Sequence, residues 1–289
     1  MEEKKFLSKK KNRKEDKNIP HFSKEDNMKY SIKNKIIDQK KENTEPKEED
    51  EEIFLKNTEN DIVEEENNKY NLYKKIKKKL IIILEGAVLE LGGIKKNPQI
   101  INCDEHYKII KSMKKKLDEF RPDIVHQCLL NLFDSPLNKV GLLQVYIHTS
   151  KNVLIEINPK TRIPRTFKRF SGLFTQLLLK NEISSSDSDE ILLKVINSDI
   201  KELIGKNNPI VLLSSKGRLI DIDTYTKNIE QSLKDNNNIC FIIGANPKGD
   251  IDTMIKYNDD CVSLSSFDLD SNIVCSKICT SFEKVWDIL

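Results

Sequence analysis

The run L-I-I-I-L at residues 80–84, closed by Glu85 and Gly86, decides the fold. It is apolar on both faces and rich in β-branched side chains. A strand with water on one side alternates apolar with polar residues, whereas a strand covered on both sides does not. The run is therefore expected to be a buried strand of a parallel sheet, with structure beginning at Leu80.

Downstream, helical and extended patterns alternate. Ile109, Ile110, Met113, Leu117 and Phe120 recur at helical spacing and predict a helix from Asp104. Arg121-Pro122-Asp123 breaks it, with Asp123 a candidate N-cap for a second helix that Asp134-Ser135-Pro136 stops. Residues 142–148 and 153–157 read as two strands of a hairpin turned at Ser150-Lys151-Asn152. A helix to about Lys180 follows, then a polar loop at 184–189. Further β-like segments lie at 191–196, 210–214, 240–244 and 261–264. Ile273, Val274, Ile278, Phe282, Val285 and Trp286 make one stripe of a last helix. This alternation predicts an α/β domain whose sheet is covered on both faces.

Upstream, residues 1–79 are rich in Lys, Glu, Asp and Asn and poor in large apolar side chains. Such a segment buries too little surface to offset the entropy of ordering, and it is expected to be disordered. The domain division is thus 1–79 and 80–289. The basic cluster at Lys74–Lys79 fits an import signal or an extra RNA contact, and equally a solubilising flank.

The formal charge of +3 is too mild to signal a polyanion partner by itself, so its distribution matters. The stretch N-P-K-T-R-I-P-R-T-F-K-R-F at 158–170 carries Lys160, Arg162, Arg165, Lys168 and Arg169 with no acid among them. Pro159 and Pro164 stiffen it. Guanidinium forks on a rigid mount suit bidentate capture of phosphate oxygens.

Other chemistries find no motif. The six cysteines form no C-x-x-C pair, which gives no sign of a zinc or thioredoxin-type site; Cys275 and Cys279 read as small core residues. No apolar leader opens the chain and no apolar run is long enough for a bilayer, so a soluble, intracellular protein is expected, with no membrane partner. Gly244 and Gly249 have P-loop spacing, but Asp250 stands where lysine is needed. No G-x-G-x-x-G follows a strand. Two late strand ends, at 244–249 and 264–269, remain as loops where a ligand of an open α/β sheet would bind.

R-P-D-I-V-H-Q-C-L-L at 121–130, D-S-P-L-N-K-V-G-L-L-Q-V-Y-I-H-T at 134–149 and the basic stretch closely resemble the pseudouridine-specific methyltransferase family of small-subunit ribosome biogenesis. That family belongs to the SPOUT superfamily, and the resemblance covers roughly 80–289. It implies a mostly parallel sheet flanked by helices, a C-terminal trefoil knot and a homodimer. It implies S-adenosylmethionine as cofactor, without a metal, and ring nitrogen 1 of one pseudouridine in small-subunit ribosomal RNA as acceptor. A nuclear, nucleolar protein working on the pre-ribosomal small-subunit particle is implied as well.

Matched residue by residue, the RNA-contacting arginines of the family fall on Arg121, Arg162, Arg165 and Arg169. The cofactor loops fall on Leu213, on Gly244 and Gly249, and on Leu264, Ser265, Ser266, Phe267, Asp268 and Leu269. The chain departs from the family at Phe267-Asp268, where an aromatic followed by proline is usual, and at Asn246-Pro247-Lys248; residues 197–208 align poorly. Asp123 is the candidate acceptor for the ring N–H proton, against a structural role as helix cap and partner of Arg121. A non-catalytic RNA-binding assembly factor on the same fold is the alternative function.

Overall fold

The structure is a computed structural model that describes residues 73, 76–93, 98–186, 188–205, 207–233, 237–247, 251 and 255–288. Chain contacts divide it into units 1–69 and 70–289, and every described residue lies in the second. The expectations for 1–72, for Lys74 and Lys75, and for Gly249 fall outside the described residues.

The elements run β1 (Leu80–Ala87), β2 (Leu91–Gly92), β3 (Gln99–Ile100), α1 (Tyr107–Ser112), α2 (Pro122–Asp134), α3 (Pro136–Lys139), β4 (Leu143–Thr149) and β5 (Leu154–Ile157). They continue α4 (Phe167–Lys180), β6 (Glu182–Ser184), β7 (Ile191–Ile196), α5 (Ile200–Ile204), β8 (Ile210–Leu219), α6 (Ile222–Ser232), β9 (Ile239–Gly244), β10 (Asp260–Ser263) and α7 (Ser271–Val285). Every residue of β1 is buried, and the strand lies between β4 and β9, parallel to both. Leu80, Ile82 and Leu84 point into a large core with Val125, Leu129, Phe170, Phe174, Ile278 and Phe282. Ile81 and Ile83 point to the other face, against Ile200, Ile204, Ile251 and Ile255. The two-sided burial expected of L-I-I-I-L is met.

The sheet order is β10-β8-β9-β1-β4-β5-β7-β6. The first five strands are parallel, and β5, β7 and β6 extend the sheet antiparallel. After β8 the chain fills the slot beside β1 with β9, then crosses back outside β8 to lay down β10. The α7 helix then packs on α2, α6 and β9.

Four local readings change. The helix expected from Asp104 to Phe120 breaks after Ser112; Lys114 takes a left-handed φ of 55° and a 3-10 turn carries Leu117–Glu119. In one straight helix Ile110 and Phe120 would lie about 15 Å apart; the turn instead brings both into one cluster with Val88 and Ile101. Asp123 does not cap α2, because Arg121 is the N-cap, Pro122 takes the first helical position and Asp123 sits in the first turn. On α7 the buried stripe includes Cys275 and Cys279, whereas Ile273 is 44% exposed.

The fourth change positions the site. β8 runs five residues beyond the expected strand, and its pairing with β10 jumps from Cys261↔Leu212 to Val262↔Arg218. Residues 213–217 thus have no partner in β10, while Leu213 stays paired with Ile243 of β9. Gly217 permits it: a Cβ there would meet the Val262 backbone at 2.6 Å.

Candidate functional site

The carboxyl ends of β8, β9 and β10 meet the first turns of α2 and α7 around a cleft of about 630 Å³, a usual size for a small-molecule site. Leu213, Ser214 and Ser215 enter it from the β8 bulge, Gly244, Asn246 and Pro247 from β9, and Leu264, Ser265, Phe267, Asp268 and Leu269 from the loop after β10. Three loops far apart in sequence therefore converge, because parallel strands put their carboxyl ends on one side of the sheet. Ser266 belongs to the third loop but does not line the cleft.

Each wall is fixed by local hydrogen bonds. Ala245 N donates to Glu85 O at 2.7 Å, extending the β1 ladder past Gly244. The Ser271 hydroxyl donates to the Gly244 carbonyl. Ser263 Oγ donates to Ser265 O at 2.8 Å, and Phe267 N donates to Ser265 Oγ at 3.0 Å, so the last loop is curled by its own serines. Asp270 is the N-cap of α7, and Asp270, Ser271 and Asn272 put the positive end of that helix dipole on the cleft wall. Apolar Leu213, Ile243, Leu264 and Leu269 beside serines and aspartates suit an amphipathic small molecule. Gln127, Asp270, Ser271 and Asn272 lie outside the loops that sequence reading singled out. A helix N-terminus just after a ligand loop is the signal that points to the last three.

Arg121 lines the same cleft. Its Nε donates to both Asp123 oxygens (2.9 and 3.1 Å) and its Nη2 to one of them (2.7 Å), and this hydrogen bonding raises the guanidinium pKa. Asp123 stands beside the cleft rather than in its lining.

The basic stretch forms the rim of a neighbouring groove of about 880 Å³, lined by Arg162 and Arg165 together with Leu130, Asp134 and Lys139. Arg169 is exposed on the first turn of α4. The prolines are only part of what holds this loop. Buried His126 donates from Nε2 to Pro164 O at 2.7 Å and stacks on Phe170 at 4.6 Å. Asn138 Nδ2 donates to Pro159 O at 3.0 Å, and Thr161 Oγ1 to Leu192 O at 2.9 Å. The acids missing from the local sequence arrive through the fold. Asp134 takes Arg165, and Glu190 takes Lys160 at 2.8 Å, which lowers the Glu190 pKa. Among the described residues, Arg162, Lys168 and Arg169 have no ion pair. No group of three His, Cys, Asp or Glu among the described residues could hold a metal ion.

The family described as EMG1/NEP1 methyltransferase matches residues 82–283, a span that takes in every wall of the cleft and the whole basic stretch. This chain belongs to the EMG1/NEP1 methyltransferase family. Among its EMG1/NEP1 relatives, the ribosomal RNA small subunit methyltransferase NEP1 of Drosophila melanogaster is 44% identical over 214 residues, covering 73% of this chain and 84% of that protein. The Homo sapiens NEP1 is 41% identical over 212 residues, with 73% and 84% covered. The crystal structure of Archaeoglobus fulgidus Nep1 bound to S-adenosylhomocysteine superposes with a TM-score of 0.59 at 26% identity, over 72% of this chain and 99% of that one. The EMG1/NEP1 fold accounts for the mixed, mostly parallel sheet. No described helix is long and apolar enough to cross a membrane.

Proposed function

We propose that this chain methylates ring nitrogen 1 of a pseudouridine in small-subunit ribosomal RNA, with S-adenosylmethionine as donor. One observation carries the reading: Arg121, matched to the family's RNA-contacting arginines, stands in the wall of the cleft built by the loops matched to cofactor binding. Bound there, the cofactor supplies a methyl group already activated by a sulfonium centre. The residues that would hold it are Leu213, Gly244, Leu264, Ser265, Phe267, Asp268 and Leu269, with Gly249 and Ser266 in the same loops.

What this chain must add is alignment, which is worth several kcal/mol of barrier. A base joined through carbon keeps a ring N–H that uridine lacks, and it must be splayed out of its loop to reach the cleft. Arg121, Arg162, Arg165 and Arg169 grip the backbone while that happens. Asp123 holds Arg121, and the N–H proton passes to solvent water at the cleft mouth as the methyl group is transferred. A homodimer, the small-subunit pre-ribosomal particle and a nucleolar location go with this reading, on the strength of the family resemblance.

The test is methyl transfer from labelled S-adenosylmethionine to two matched stem-loops, one with uridine and one with pseudouridine at the loop position. Label only in the pseudouridine RNA is expected. Label in neither, with both RNAs still bound, would replace the enzyme with a non-catalytic assembly factor.

A further inference from the structure

Arg121 and Arg165 are each held by an aspartate of α2, and by different edges. At the start of the helix Asp123 takes the side edge of Arg121, through Nε and Nη2. At its end Asp134 takes the end edge of Arg165, through Nη2 at 2.8 Å and through the closer Nη1. A guanidinium is a planar fork of five donors, and each of these edges matches two acceptor oxygens. Arg121 is left with its end edge free and Arg165 with its Nε edge. The aspartates are eleven positions apart on the helix, about 16 Å of axis at roughly 1.5 Å per step.

We propose that Asp134 is a positioning residue for RNA binding: it fixes the Arg165 guanidinium so that the free Nε edge meets a phosphate. The inference rests on the RNA reading of this face. The same geometry could describe an acid competing with phosphate, but the surrounding charge opposes that. Lys139 lies 4.0 Å from Asp134, and Arg162 on the same groove has no ion pair among the described residues. The acid therefore lies between two cations and leaves the groove positive. Arg165 and Asp134 are both well exposed, so the pair adds little to folding, and its value must be sought in binding. Fixing a long side chain before the ligand arrives removes ordering entropy from the binding step.

The test measures pseudouridine stem-loop binding and methylation by the full chain, for wild type, Asp134→Asn, Arg165→Lys and the double variant. Asp134→Asn is expected to weaken RNA binding about five- to tenfold, near 1 kcal/mol. It should raise KM for RNA more than it lowers kcat, with S-adenosylmethionine affinity and melting temperature held. In the Arg165→Lys background, which has no fork to aim, the same change should have less than about a twofold effect. Asp134→Glu, which keeps the carboxylate, should recover part of the loss. Unchanged or tighter RNA binding by Asp134→Asn overturns the proposal, and so does an equal loss in the lysine background. Wild-type protein that binds the RNA without transferring methyl would sink the catalytic reading alone, and the binding comparison would still decide the role of Asp134.

Discussion

At the scale of single residues, Asp123 shows how a fold can reassign a side chain. Its sequence context offers three roles: helix cap, partner of Arg121, or proton acceptor. The cap is excluded by Pro122, which makes Arg121 the N-cap, and the partnership is present at 2.7–3.1 Å. A carboxylate on which one guanidinium makes three hydrogen bonds is a poor general base, because protonation would break a charge-assisted pair. Asp123→Asn should therefore weaken RNA binding by a few-fold to about tenfold, in the range of a lost charged hydrogen bond. Methyl transfer at saturating RNA should fall much less. Steady-state kinetics with RNA and cofactor varied separately would check this, and a loss of kcat beyond about a hundredfold, the scale of general-base catalysis, would return the base role to Asp123.

At the scale of elements, the bulge in β8 does what a plain strand cannot. Leu213, Ser214 and Ser215 reach the cleft because 213–217 leave the pairing with β10, while Arg218 resumes it opposite Val262. Gly217 lies against the Val262 backbone, which cannot yield as a side chain tip would. Gly217→Ala should therefore cost about 1–3 kcal/mol of stability, as overpacking does. It should also weaken cofactor binding more than RNA binding, since it shifts the bulge and leaves the arginine loop alone. Chemical denaturation with calorimetric titration of S-adenosylmethionine would show it; a variant with normal cofactor affinity would mean that the bulge does not shape the cleft.

At the scale of the whole molecule, the parallel strands β1 and β4 are tied at their carboxyl ends by a half-buried polar link that reaches the β4–β5 turn. Glu85 on β1 lies opposite His148 on β4, with Nδ1 2.7 Å from Glu85 Oε1 and Nε2 2.9 Å from Asn152 Oδ1. The Glu85 carboxylate accepts from Nδ1–H, and the Asn152 amide oxygen accepts when Nε2 carries its proton, so the two partners favour the protonated imidazole. The hydrogen bond to Glu85 accordingly raises the His148 pKa above 6.5. A histidine that holds its proton more tightly when folded adds its full stability below the unfolded pKa, and loses it as pH rises through the folded value. Melting temperature should thus fall by a few degrees between about pH 6.5 and alkaline pH. His148→Gln should flatten that slope. A slope unchanged in the variant would place its origin elsewhere.

The sequence by itself determined the two-faced burial of β1, the β4–β5 hairpin, the helix after the basic loop, and the two late strand ends that now frame the cleft. Each of these is written in a local pattern, a period of 2 or 3.6 or a turn residue, that the packing around it leaves intact. Only the tertiary structure decided that the helix from Asp104 breaks, that β8 bulges, that Asp134 and Glu190 supply the acids the basic stretch lacks, and that Arg121 stands in the cleft wall. Those outcomes depend on which distant residues meet: Phe120 with Val88, Gly217 with Val262, Arg165 with Asp134. Contacts of that kind are set by packing and register across the sheet, which no window along the chain contains.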